Sequence, residues 1–208
     1  MSRKRLTVGA VIAVCTFVAK GAAQKNEISG LLGRTFISDQ RIQGAPSYDP
    51  NLHFGDGFTF EAGYARQIFD AGVASISLEV PFAGNLDQDL HAAGNAIPED
   101  YSSYFVTPAA RVNLLPLTAV TPWVSFGGGF GHFSASSKLE FGGSNPGKTG
   151  TTTGVFQAGV GLDVKFYKNF SLRGEVRDFW SGLPQLNVNV GKGHQRNLFA
   201  GFGVVWRF

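Results

Sequence analysis

From about residue 27 onward, apolar side chains recur at every second position of the 208-residue chain. Phe58, Phe60, Ala62 and Tyr64 alternate with Thr59, Glu61, Gly63, Ala65 and Gln67. Ala74, Ile76, Leu78, Val80 and Phe82 share one face against Ser75, Ser77 and Glu79. Phe156, Ala158, Val160, Leu162, Val164 and Phe166 oppose Gln157, Gly159, Gly161, Asp163 and Lys165. Period-two patterning of this kind predicts strands with one apolar face. Eight follow, over 27–37, 57–68, 73–84, 103–114, 120–133, 154–166, 170–180 and 196–208. At roughly 11–14 residues they exceed the ~5–6 of soluble strands and match the ~9–11 that a tilted strand needs to cross a bilayer.

The connections alternate in length. Those at 38–56, 85–102, 134–153 and 181–195 are long, and those at 69–72, 115–119 and 167–169 are short. Short turns at one rim and long loops at the other predict an all-β fold, an eight-stranded antiparallel up-and-down transmembrane β-barrel with both termini at the short-turn, periplasmic rim. Volume decides which face points out. Eight strands enclose only enough space for side chains, so the large apolar residues must face lipid and the Gly-rich polar face must line the lumen. A lipocalin-like barrel with the faces reversed is the soluble alternative. In the membrane reading Glu61, Glu79, Arg111, Asp163, Lys165, Arg173, Glu175 and Arg177 form an interior charge network, four acids against four bases, which plugs the lumen by pairing. Pro81 and Pro108 each remove a ladder donor, and bulges are expected there. Adjacent Leu31 and Leu32 leave the faces of the first segment open, and Arg34 fits either.

Residues 1–23 read differently. Arg3, Lys4 and Arg5 precede an apolar run from Leu6 to Ala19, followed by Gly21-Ala22-Ala23. This is the pattern of a cleaved secretory signal peptide, and the run falls short of the ~20 residues of a spanning helix. The domain division is thus signal peptide 1–23 and barrel 24–208. Its removal lowers the basic residues from 18 to 14, against 15 acidic, so the formal +3 belongs to the signal and supports no nucleic-acid partner. The single Cys15 lies inside that run, leaving no disulfide or Cys metal site. Acylation of Cys15 as a lipoprotein is disfavoured by bulky Val14 before it.

The closing run Leu198-Phe199-Ala200-Gly201-Phe202-Gly203-Val204-Val205-Trp206-Arg207-Phe208 resembles the C-terminal strand of bacterial outer-membrane barrels. With Gly159-Val160-Gly161-Leu162-Asp163-Val164 it is similar to the small OmpA-like and OmpX-like barrel families. The resemblance implies that Phe202, Val204, Trp206 and terminal Phe208 are the signal read by the barrel-assembly machinery. It implies outer-membrane lipid and lipopolysaccharide as neighbours. Nothing in the chain matches the peptidoglycan-binding domain of full-length OmpA.

Candidate chemistry is sparse. His132 and Ser134 share the outward face of Phe126 and Phe130, with Glu140 a few residues on, the residue types of an acyl-transfer nucleophile with its base and orienting acid. The arrangement is similar to outer-membrane lipid A deacylases, but Ala135-Ser136-Ser137 departs from that family after the Ser. An aromatic-belt His and a loop-start Ser are the plainer reading. Asp87-x-Asp89-x-His91 holds metal-ligand types in one loop but lacks the Gly and distal acid of a calcium loop, so a solvated loop is expected. Gly127-Gly128-Gly129 lacks the Lys-Ser/Thr of a phosphate loop and reads as space for curvature. No metal site and no cofactor are expected. Three functional readings follow: a non-enzymatic barrel with a structural or surface-interaction role, its long loops meeting an unknown extracellular ligand; a lipid A acyl hydrolase; and a narrow porin-like pore.

Overall fold

The computed structural model describes residues 25–44, 48–55 and 57–208; the signal-peptide segment 1–23 lies outside the described residues. All regular structure there is extended. The strands are β1 (Asn26–Phe36), β2 (Gln40–Arg41), β3 (Asn51–Phe54), β4 (Gly57–Asp70), β5 (Ala74–His91), β6 (Asp100–Val106), β7 (Ala109–Leu114), β8 (Val120–Ala135), β9 (Gly150–Tyr167), β10 (Phe170–Ser181) and β11 (Gln195–Arg207). Antiparallel pairing runs β1–β4–β5, then through β6 and β7 to β8, and on through β9 and β10 to β11. β11 returns to β1 with Glu27 opposite Arg207 and Phe36 opposite Leu198. β6 and β7 are two halves of one wall strand, because both pair with β5 and β8. The result is a closed eight-stranded barrel, the only sheet arrangement without an edge to hide from lipid.

The wall follows the predicted alternation. Leu32, Phe58, Leu78, Phe126, Phe156, Val160, Leu172 and Phe202 point outward and are more than half exposed. Their inward neighbours Thr59, Glu61, Ser77, Glu79, Ser125, Gln157, Asp163 and Arg173 are buried. Alternation also settles β1: Ile28, Leu32, Arg34 and Phe36 are exposed, while Glu27, Ser29, Leu31 and Thr35 are buried. An apolar belt encircling the whole wall is far larger than the patches soluble proteins tolerate, and it is the surface a bilayer requires.

The prolines correct an expectation. Neither forms a bulge; the wall strand simply loses pairing at Thr107-Pro108, and the register on both sides of the gap is the same. Thr107 N–H reaches the Pro81 carbonyl at 3.4 Å, so the two missing donors are concentrated at one place. Gly128 N–H donates to the Pro108 carbonyl at 3.1 Å. A Cβ on Gly127 would fall 2.3 Å from the Pro108 oxygen, and one on Gly129 would fall 1.9 Å from the Val106 oxygen. The triple glycine therefore lets β8 approach the interrupted strand. Register shifts occur instead at Phe58/Thr59 and Gln67/Phe69 of β4, Asn85/Gln88 of β5 and Phe170/Ser171 of β10.

On the loop side several strands outrun the bilayer. β5 and β9 each have 18 residues, and β3 pairs with the end of β5 by setting His53 opposite His91 and Phe54 opposite Leu90. This folds the first long loop over the mouth and forms the start of a cap.

Candidate functional site: plugged lumen and loop-side cap

The lumen has two compartments. Toward the short turns it is filled by ion pairs. Arg173 grips Asp163 through two nitrogens, Nε to Oδ1 at 2.7 Å and Nη2 to Oδ2 at 2.8 Å, and its Nη2 also donates to Glu27 at 2.9 Å. Arg111 Nη1 lies 2.6 Å from the same Glu27 oxygen and 3.3 Å from Glu79. Arg177 binds Glu79 through Nη1 at 2.8 Å, while its Nε faces Glu175 at 2.6 Å and Glu61 at 3.0 Å. Arg207 closes the cluster against Glu27 at 3.3 Å and against Asp163. Within it stands Trp123, whose indole N–H donates to Asp163 at 3.1 Å. The guanidinium carbons of Arg111, Arg173 and Arg177 lie 5.5, 5.0 and 5.2 Å from its ring centroid, within range for cation–π attraction. A Cβ on Gly161 would be 2.3 Å from that ring, so the glycine opposite Trp123 in the register makes the space it occupies.

Seven of the eight residues expected in the network are there. Lys165 is not: it lies exposed at the cavity mouth, one step past Asp163 on the inner face, where β9 runs out of the plug. Glu27, Arg207 and Trp123 take part without having been expected. Arg207 sits on the polar face of the last strand and was legible there. Glu27 was hidden by the ambiguous faces of β1.

Toward the loops the lumen turns apolar, against the expectation of a polar lining throughout. Phe105, Phe133, Phe179 and Phe199 are buried inward. Phe105 stacks on Phe179 with centroids 4.8 Å apart and planes 8° from parallel, and meets Phe133 edge-on at 5.8 Å. Tyr101 continues to Phe54 of the cap at 6.3 Å. Leu52, Leu90, Ile97, Leu186 and Val190 from the long connections join this cluster. The connections thus share a core with the barrel.

On the cap surface, His53 Nδ1 meets Asp39 at 2.7 Å and Nε2 meets Asp49 at 3.2 Å. These two carboxylates hold the imidazole pKa above its ordinary value, the bond to Asp39 contributing most. Burial pushes the Asp100 carboxyl up, aided by Asp87, Glu99 and Asp89 nearby.

Three candidate catalytic residues are placed as follows. His132 and Ser134 both point outward on β8. His132 lies between Tyr104 and Thr152 in the register, and its Nδ1 is 2.9 Å from the Thr152 hydroxyl. Glu140 is engaged elsewhere: one oxygen is 3.0 Å from His91 Nδ1 and the other accepts from Ala92 N–H at 3.3 Å. The structure therefore brings Glu140 to His91. Asp87, Asp89 and His91 do not gather, and no cluster suited to a metal ion occurs among the described residues.

No family model matches the chain, and no curated protein does. Solved structures do. Neisserial surface protein A, NspA, superposes with a TM-score of 0.57 at 15% identity, over 90% of this chain and 100% of that one. The outer membrane protein OprG of Pseudomonas aeruginosa superposes with a TM-score of 0.54 at 14% identity, over 90% of this chain and 98% of that one. The fold is that of the small outer-membrane β-barrels. Together with its apolar belt, this places the barrel in a bacterial outer membrane.

Proposed function

We propose that this is a non-enzymatic outer-membrane barrel whose lumen is shut and whose long loops act outside the cell, in surface interaction or in support of the envelope. One observation carries the reading: the cap and the lumen share an apolar core, so the loops are held as a shaped surface on a rigid scaffold, the arrangement in which recognition resides. A conducting role is disfavoured by a lumen occupied by Trp123, four arginines and a phenylalanine stack. An acyl hydrolase is disfavoured by the partners that His132 and Glu140 take. Lipopolysaccharide around the belt, the barrel-assembly machinery and an extracellular ligand remain the proposed partners.

Two measurements on cells and bilayers test this reading. Planar-bilayer recordings are expected to show no conductance steps, and regular unit steps would overturn the closed lumen. Lipid A from expressing cells is expected to keep its mass. Loss of an acyl chain that is restored in His132→Ala would overturn the non-enzymatic reading.

A further inference from the structure

Below the plug, on the turn side, lies a cavity of about 430 Å³. Its floor is Arg111, Arg207, Glu27 and Asp163, and Lys25, Lys165 and Asp70 stand around its mouth. The floor charges compensate one another, because Glu27 and Asp163 are gripped by Arg111, Arg173 and Arg207. Asp70 is held at the rim by Gly72 N–H at 2.8 Å and the Gln67 amide at 2.9 Å. Among the described residues no carboxylate pairs with Lys25 or Lys165. Lys168, also at the rim, places its ammonium over the Tyr167 ring at 5.2 Å. Asp70 keeps its negative charge, and against it Lys25, Lys165 and Lys168 leave the concavity a positive balance.

We propose that the cavity is a binding site for a small soluble anion bearing phosphate groups, taken from the periplasm and held by Lys25 and Lys165 above the Arg111 and Arg207 floor. The lysines at the mouth outnumber its carboxylate, so the field there draws anions toward the concavity. Lysine, a compact point charge with three donors, suits a tetrahedral oxyanion. Thr121 lines the cavity and carries a hydroxyl that can donate to such an anion. The ligand enters through the aqueous mouth and not through the wall, which separates it from a lipid headgroup.

The test is calorimetric titration of inorganic pyrophosphate into the barrel extracted from outer membranes. Saturable binding, one anion per barrel and weakening with added salt, is expected. Lys25→Met/Lys165→Met is expected to weaken it about tenfold or more, while Lys192→Met in the last long loop leaves it unchanged. Retention of the heat-dependent gel shift shows that each variant is folded, and quenching or enhancement of tryptophan fluorescence near the Trp123 plug reports binding separately. Absence of saturation in the wild type overturns the proposal. So does equal affinity of the double variant, which would mark an adventitious ion only. Binding that persists in neutral bilayers but vanishes in bilayers rich in phosphatidylglycerol would assign the site to a headgroup and overturn the soluble ligand.

Discussion

Trp123 gives its only hydrogen-bond donor to Asp163 at 3.1 Å while its ring faces three guanidinium groups. One side chain thus serves the carboxylates by its edge and the arginines by its face. Trp123→Ala removes both and leaves a void that the closed wall cannot collapse into; the expected cost is about 3–5 kcal/mol. Trp123→Phe keeps the face and loses the donor, with a smaller expected loss of about 1–3 kcal/mol from the Asp163 contact. Urea midpoints of refolding in micelles give both values, and equal losses in the two variants would contradict the division.

Arg177 joins Glu61, Glu79 and Glu175, residues of three strands. Arg177→Met is expected to destabilise by about 3–5 kcal/mol, since buried carboxylates are left without a partner. Adding Glu175→Gln should recover part of that loss. A double-mutant cycle on the same urea midpoints checks it, and simple additivity would show that the pair is not coupled.

Gly129 and Gly154 face each other's strands but differ in surroundings. A Cβ at Gly129 would meet the Val106 oxygen at 1.9 Å, whereas nothing lies within 4 Å of one at Gly154. Gly129→Ala is expected to reduce the folded, heat-shifting band strongly, and Gly154→Ala to leave it near wild type. Comparable bands from both variants would refute the close approach at the strand break.

His53 provides the pH dependence. Its folded pKa is raised above 6.5 by Asp39 and Asp49, so its contribution to the cap is complete below 6.5 and is lost as pH rises through the higher folded value. His91 of β5 lies opposite it in the register and is itself held by Glu140 from the connection after β8. Amide exchange in β2 and β3 is expected to quicken over that window, beyond the intrinsic base-catalysed rise, in the wild type and not in His53→Gln. The effect is small, because the imidazole is 42% exposed and screened by water. Identical profiles for the two proteins would remove His53 from the cap's stability.

The wall was legible because lipid on one side and a narrow lumen on the other leave period-two alternation no freedom. Ser75, Ser77 and Glu79 lie inside and Ile76, Leu78 and Val80 outside, as their order in the chain implies. The plug was legible in its arginines and most of its acids for the same reason. Glu27 escaped because Leu31-Leu32 fits two phases, and pairing with β11 and β4 chooses between them. The inward phenylalanines escaped for a different reason. Phe133 and Phe179 alternate correctly, but their compartment depends on height along the barrel, which alternation does not encode. The cap lay beyond reach altogether, since His53 finds His91, and His91 finds Glu140, through connections without periodicity.

Glu27 belongs to β1, yet its carboxylate answers Arg111 of β7, Arg173 of β10 and Arg207 of β11. The carboxylate of the first strand thus acquires its full set of partners only when strands from the far side of the wall, the last among them, have come in. Sealing the seam between β1 and β11 and completing the plug are therefore linked, and a barrel left ajar leaves that acid short of a partner in its interior.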